Sequence, residues 1–241
     1  MTLEQRIQRR FGRAAVQYKL IEDSDRILVG LSGGKDSLCL LELLARRSHI
    51  RRPQFEVEAL HVRMENVAYE TDTSYLQDFC GRLGVKLHIV TTSIEPPPAD
   101  ANLHEKPMCF LCSWQRRKQF FRIAQEHGFN KIALGHHQDD IIHTALMNLT
   151  FQGQFSTMPA LLRMRKMPLT IIRPLCLEEE ADIRAYTEQQ GYQQQVKHCP
   201  YEHKSNRTSI QEVFTMMQSL HPDARHSIWN ALEAAGKLIE Y

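Results

Sequence analysis

LVGLSGGKDSL, residues 28–38, runs from an apolar stretch through two adjacent glycines into a Lys-Asp-Ser triplet. RILVGL, at 26–31, is nearly continuous in apolar residues, as a strand buried on both faces must be, and the leucine-rich LCLLELLARR that follows has helical character. The glycines therefore fall at a strand-to-helix turn, on the carboxyl edge of a sheet. Backbone amides point outward at such a turn, the helix dipole adds positive potential, and glycine lets the chain approach a bound oxygen closely. Ser32 and Ser37 add hydroxyl donors, and Lys35 supplies a point charge. Asp36 suits a hard cation such as Mg²⁺, and equally suits compensation of the helix dipole. The stretch matches neither G-x-x-x-x-G-K-S/T nor G-x-G-x-x-G. A plain tight turn explains Gly33 and Gly34 but not the Lys-Asp-Ser that follows them.

The same rhythm continues along the chain. FEVEALHV (55–62), VKLHIVTT (85–92), KIALGH (131–136) and LTIIRPL (169–175) read as further strands, with helical stretches between them. Strand and helix in alternation predict an α/β fold: a doubly wound, mostly parallel five-stranded sheet covered by helices on both faces, with N- and C-terminal helices added. Ligands of such folds sit beyond the carboxyl ends of the strands. The chain divides into a basic amphipathic helix over 1–24, an α/β core over 25–176 and a helical segment over 177–241. The proline-rich stretch 95–107 reads as a surface loop.

Composition narrows the class. The 241 residues carry a net charge of +2 and no apolar run long enough to span a bilayer. The first residues lack the continuous apolar segment of a secretory leader, so a cytoplasmic location is expected. Six cysteines, at 39, 80, 109, 112, 176 and 199, then point to core packing, metal or thiol chemistry rather than disulfides. Arg6, Arg9, Arg10 and Arg13 form a stripe opposite the apolar Ile7, Phe11, Ala14 and Tyr18; such a stripe is either a solvated helix face or an attractor of polyanions.

ALGHHQDDIIHTALMN, 133–148, repeats the strand-to-helix transition and brings Gly135, His136, His137, Asp139 and Asp140 to the same sheet edge as the first glycine loop. Asp139 and Asp140 are helix caps or contacts to metal and nucleotide, and each histidine is structural, a ligand or a base. Cys109-x-x-Cys112 opens a basic helix and Cys199 stands far downstream, followed by proline. A redox pair needs no third cysteine. Structural zinc wants a fourth ligand, such as His198 or His203. Three thiolates on a 4Fe-4S cluster leave one iron open.

SGGKDS (32–37) resembles the signature of the PP-loop ATPases, adenine nucleotide α-hydrolases that split ATP between the α and β phosphates. Taken with CFLCSWQRR (109–117), LGHHQDD (134–140) followed by Met147-Asn148, MPALL (158–162) before IIRPL (171–175), and the late Cys199, the order and spacing resemble the tRNA 2-thiocytidine synthetases of the TtcA family. The resemblance implies a tRNA-cytidine sulfurtransferase that adenylates C2 of cytidine 32 in the anticodon loop and replaces its oxygen with sulfur. It implies ATP, Mg²⁺ and a 4Fe-4S cluster as cofactors, with Cys109, Cys112 and Cys199 as cluster ligands and catalytic groups beside Lys35 and Asp36. The nucleotide site would comprise residues 32–37 with Gly135, His136, Asp139 and Asp140. A cysteine desulfurase or other sulfur donor and a homodimer are implied partners. Trp114, Arg116, Arg117, Lys118, Arg163, Arg165 and Lys166 are candidates for contact with tRNA. The alternatives are a PP-loop thiolase or ligase acting on another nucleoside or a small molecule, and a non-catalytic ATP- or metal-binding domain.

Overall fold

The computed structural model describes residues 1–65, 72–94, 108–193 and 206–241. Cys199, His198, His203 and the 95–107 stretch lie outside the described residues. Four parallel strands carry the centre of the sheet: β1 (Asp25–Gly30), β2 (Phe55–Met64), β4 (Lys131–Ala133) and β6 (Thr170–Ile172), with β3 (Lys86–Thr92) beside β2. These are the five strands the apolar runs mark. Two more extend the sheet to seven, in the order β3-β2-β1-β4-β6-β5-β7: β5 (Leu161–Arg163), antiparallel to β6, and β7 (Ile239–Glu240), parallel to β5. The three-residue β4 and β6 lie inside the longer apolar stretches 131–136 and 169–175, whereas no apolar stretch of that length surrounds β5 or β7, which is why the sequence count stops at five.

Alternation along β1 separates two cores. Ile27 and Val29 point to one face, where they join Ala59, Ala133 and Ile172 and the helices α1 (Leu3–Gln17), α2 (Lys35–Ser48), α5 (Gln138–Gln152) and α6 (Glu180–Gln189). Leu28 points to the other, joining Leu60, Val62 and Ile132 against Ile123 and Ala124 of α4 (Met108–His127). A strand buried on both sides thus needs apolar residues on both of its faces, as Ile27, Leu28 and Val29 supply. The helices α3 (Thr73–Arg82), α7 (Asn206–Leu220) and α8 (Ala224–Ala234) complete the described elements.

β1 pairs with β2 on one side and β4 on the other, and successive crossovers leave in opposite directions from these two strands. The loops after β1 and β4 therefore open a crevice between them, the switch point where ligands of such sheets bind.

The arginine stripe of α1 is largely tied down. Asp182 of α6 accepts from Arg6 at 2.7 Å and from Arg10 at 2.6 Å, so these two cations brace α1 against α6. Beneath them Glu178 is fully buried, and its nearest cation is Arg10 at 3.7 Å. Burial, opposed only in part by Arg10, pushes its carboxyl up to about 8. A carboxyl whose folded value is raised holds a proton that the unfolded chain releases, so stability falls as pH rises between about 4.5 and about 8. Glu178→Gln should flatten that slope: urea titrations across this window are expected to show a steeper decline for the wild type.

Candidate active site

The glycine loop is shaped by its own side chains. Gly33 takes φ +84°, in the left-handed region, and Gly34 turns extended to cap α2. The Ser37 hydroxyl accepts from the Ser32 amide at 3.1 Å and donates to the Gly34 carbonyl at 2.9 Å, while the Ser32 hydroxyl accepts from the Gly34 amide at 3.3 Å. Lys35 Nζ stands 3.0 Å from both Asp36 carboxylate oxygens and 3.2 Å from Glu180 Oε1. The first-turn amides of α2, which have no acceptor within the helix, open at this point.

The second loop packs backbone to backbone on the first. A Cβ on Gly135 would lie 3.0 Å from the carbonyl carbon of Asp36 and 3.1 Å from its oxygen and from the Ser37 amide nitrogen. A side chain there would have to push the backbone of the first loop back by a few tenths of an ångström. His137 then caps α5, its amide donating to Asp140 Oδ2 at 3.1 Å, and the other Asp140 oxygen pairs with Arg207 of α7.

Asp139 and Asp140, adjacent in sequence, do different things. Asp139 accepts from the Glu180 amide at 2.8 Å and from Arg225 at 2.6 Å. It thereby fastens the start of α6, the element that delivers Glu180 to Lys35. Burial by itself would raise its carboxyl, but His137, Arg225 and the Glu180 amide together hold it well below the usual carboxylate range. His136 accepts from Arg173 Nε through Nδ1 at 3.1 Å. Desolvation, with the charges of Arg173 and Arg207, pushes it down to about 3, so the ring is neutral at physiological pH and presents Nε2–H.

These loops wall a cavity of about 540 Å³. Ser32, Lys35, Asp36, Ser37, Gly135, His136 and Asp140 line it, whereas Gly33, Gly34 and Asp139 do not. Glu180 and Arg207, which no motif signalled, line it as well, together with His61 at the end of β2 and Arg116 and Phe120 of α4. Glu180 and Arg207 belong to helices that only the tertiary fold brings to this edge.

The cysteine motif occupies the opening turns of α4. Cys112 precedes Arg116 by four residues and so lies about one turn, roughly 6 Å, farther along the helix on the same side. Cys109 lies one turn beyond it and is exposed; Cys112 is half-buried against the α4 core. Cys39, Cys80 and Cys176 are buried, and burial pushes their thiols up, that of Cys80 to about 11. They are core residues without thiolate chemistry. Among the described residues no three His, Cys, Asp or Glu side chains gather as a metal site. Two accessible thiols at i and i+3 on the helix that also carries the cavity-lining Arg116 nevertheless suit a soft-metal group completed by a further ligand.

Fold and loop together define a PP-loop domain, whose family model matches residues 3–215. The tRNA-cytidine(32) 2-sulfurtransferase of Pseudomonas putida (strain W619) is 32% identical over 232 residues, 96% of this chain and 84% of that protein. Its counterpart in Dichelobacter nodosus is 35% identical over 228 residues, 94% and 85% of the two chains. The U34-tRNA thiolase NcsA from Methanococcus maripaludis, solved with its [4Fe-4S] cluster, shares the fold with a TM-score of 0.76 at 24% identity, covering 97% of this chain and 78% of that one. The chain belongs to the PP-loop family and, within it, to the enzymes of the tRNA-cytidine sulfurtransferase family.

Because the Gly135 contact sets the spacing of the two loops, Gly135→Ala should cost about 1–3 kcal/mol through overpacking against backbone and weaken nucleotide binding. Gly81→Ala, where an added Cβ meets nothing within 4 Å, should leave binding unchanged and raise stability by about 0.5–1 kcal/mol. Chemical denaturation and nucleotide titration of the two variants check both outcomes.

Proposed function

We propose that this protein is an ATP-dependent tRNA sulfurtransferase that converts cytidine 32 of the anticodon loop to 2-thiocytidine, working in the cytoplasm with sulfur that originates from a cysteine desulfurase. One observation carries the reading: residues of the phosphate loop at 32–37 line the same cavity as Arg116 of α4, and Cys112 stands one helical turn before Arg116 on that helix. A nucleotide activated at the loop lies within reach of a group held at the helix.

The residues divide the work. The loop at 32–37 holds the pyrophosphate portion of ATP, the Ser32 and Ser37 hydroxyls keep the turn in shape through their bonds within it, and Lys35 exchanges its carboxylate partners for phosphate oxygens. Among the described residues, the charged groups lining the cavity are Lys35, Arg116 and Arg207 with Asp36, Asp140 and Glu180. A polyanionic nucleotide beside such carboxylates favours a hard cation, and Asp36 would hold Mg²⁺ on the phosphate oxygens. The cytidine O2 then attacks the α-phosphorus, an O–P bond forms, and pyrophosphate leaves into the loop. A sulfur nucleophile at the oxidation level of sulfide adds to C2, the C2–O bond breaks, AMP departs with the oxygen, and loss of the sulfur-borne proton leaves C2=S. Adenylation turns a poor leaving oxygen into a good one. Neutral His136 offers Nε2–H to the departing oxyanion without introducing a charge of its own.

Cys109, Cys112 and Cys199 would hold a 4Fe-4S cluster, which when bound supplies an iron lacking a protein ligand and suited to sulfide. Anaerobically purified protein should contain iron and acid-labile sulfide, and Cys109→Ala or Cys112→Ala should lose them; stoichiometric zinc in their place would refute the cluster. Lys35→Ala should lower turnover by about 100-fold or more, the scale on which a lost electrostatic stabiliser acts. Loss of the gene should abolish 2-thiocytidine in bulk tRNA, read by nucleoside mass spectrometry, and unchanged levels would overturn the cytidine assignment.

A further inference from the structure

Phe110, Trp114 and Lys118 recur at intervals of four along α4 and so share one stripe of the helix. Phe110 is 42% exposed and Trp114 40%, although aromatic rings of this size ordinarily find cover. Lys118 Nζ stands 5.7 Å from the centroid of the Trp114 ring. Arg117 is exposed beside them, its guanidinium 3.2 Å from Ser113 Oγ. The side of α4 turned to the core carries Gln115, Ile123 and Ala124. From Met108 to Gln125 the chain has four cations, Arg116, Arg117, Lys118 and Arg122, and no acidic residue. An outward face that offers π surfaces and donors but no carboxylate is complementary to a chain of phosphates and unpaired bases.

We infer that this stripe is the docking face for the single-stranded loop of the RNA substrate. Trp114 and Phe110 stack the bases that adjoin the reacting nucleotide, and Arg117 and Lys118 hold the intervening phosphates. The inference rests on the proposed function for the identity of the RNA and adds the surface that reads it. Arg116 lines the cavity and Arg117, its neighbour, is turned to solvent, so a strand lying on the outer side needs to cross only one flank of α4 to place a base inside. Each stacked base contributes on the scale of a single strong contact, and stacking tolerates any base sequence.

The chain has two tryptophans, Trp114 and the buried Trp229, so fluorescence isolates the exposed ring. Trp229→Phe protein is titrated with an RNA hairpin bearing an unpaired loop, with the blunt duplex of the same stem and with inorganic polyphosphate. The hairpin should quench Trp114 and the other two should not. Trp114→Ala should bind the hairpin about 5- to 100-fold more weakly, with ATP affinity intact as the check on folding. Arg117→Ala and Lys118→Ala should each reduce the salt slope of binding by about 0.7. Equal quenching by duplex or polyphosphate, wild-type affinity in Trp114→Ala, or quenching only by an acidic protein partner would overturn the assignment. Docking through Trp114 with no cytidine thiolated would refute the proposed function and leave the face standing. Normal thiolation by a Trp114→Ala protein of unchanged affinity would do the reverse.

Discussion

The backbone of Gly135 rests on the backbone of Asp36 and Ser37, closer than a side chain there is ordinarily accommodated. Everything at the carboxyl edge of the sheet is registered by that contact. It fixes the loop after β4 against the N-terminus of α2, so His136 and Asp140 face the same space as Lys35 and Asp36. It also aligns α5, whose Asp139 in turn fastens the first turn of α6 and delivers Glu180 to Lys35. The contact is steric and depends on an absent Cβ, so the loop spacing it sets is sensitive to the addition of a single methyl group.

Around this contact the charges are arranged in linked pairs. Asp139 with Arg225, Asp140 with Arg207, and Lys35 with Asp36 and Glu180 each join an element of the sheet edge to a helix from the C-terminal part of the chain. These pairs are partly exposed, and they position more than they stabilise, since solvent screening and desolvation offset much of their attraction. Their geometric effect is to hold α6, α7 and α8 over the crevice. At the opposite end of the sheet the half-hidden network of Asp25, Lys131 and Asn130 ties β1 to β4, with Asp25 and Lys131 2.7 Å apart. The two central strands are thus clamped at both ends.

Much of the site was legible before folding because its chemistry is local. SGGKDS encodes its own turn: Gly33 sits at positive φ, and Ser32 and Ser37 close the loop through hydrogen bonds within six residues. The five strands read from the sequence were legible because each lies in a stretch of six to eight residues rich in apolar side chains, β4 and β6 included although each is itself three residues long. The polyanion reading of the α1 arginines lost half its force, since Arg6 and Arg10 meet Asp182 from a segment more than 170 residues away. The roles of Asp139 and Asp140 were not separable in sequence either, because both are aspartates at the head of one helix and differ only in what approaches them.

The sequence by itself determined the alternation of strand and helix, the phosphate loop, and the two thiols one helical turn apart, because each depends on neighbours within a few positions. Tertiary structure decided which charged groups surround Lys35, that Glu180 and Arg207 line the cavity, and that Cys39, Cys80 and Cys176 are core residues. These depend on burial and on partners far along the chain, and desolvation is a property of the packed molecule that no local pattern carries. It decided as well that Arg116 turns inward and Trp114 outward on the same helix. The sequence gives their spacing, but the direction of the core is set by the sheet against which α4 packs.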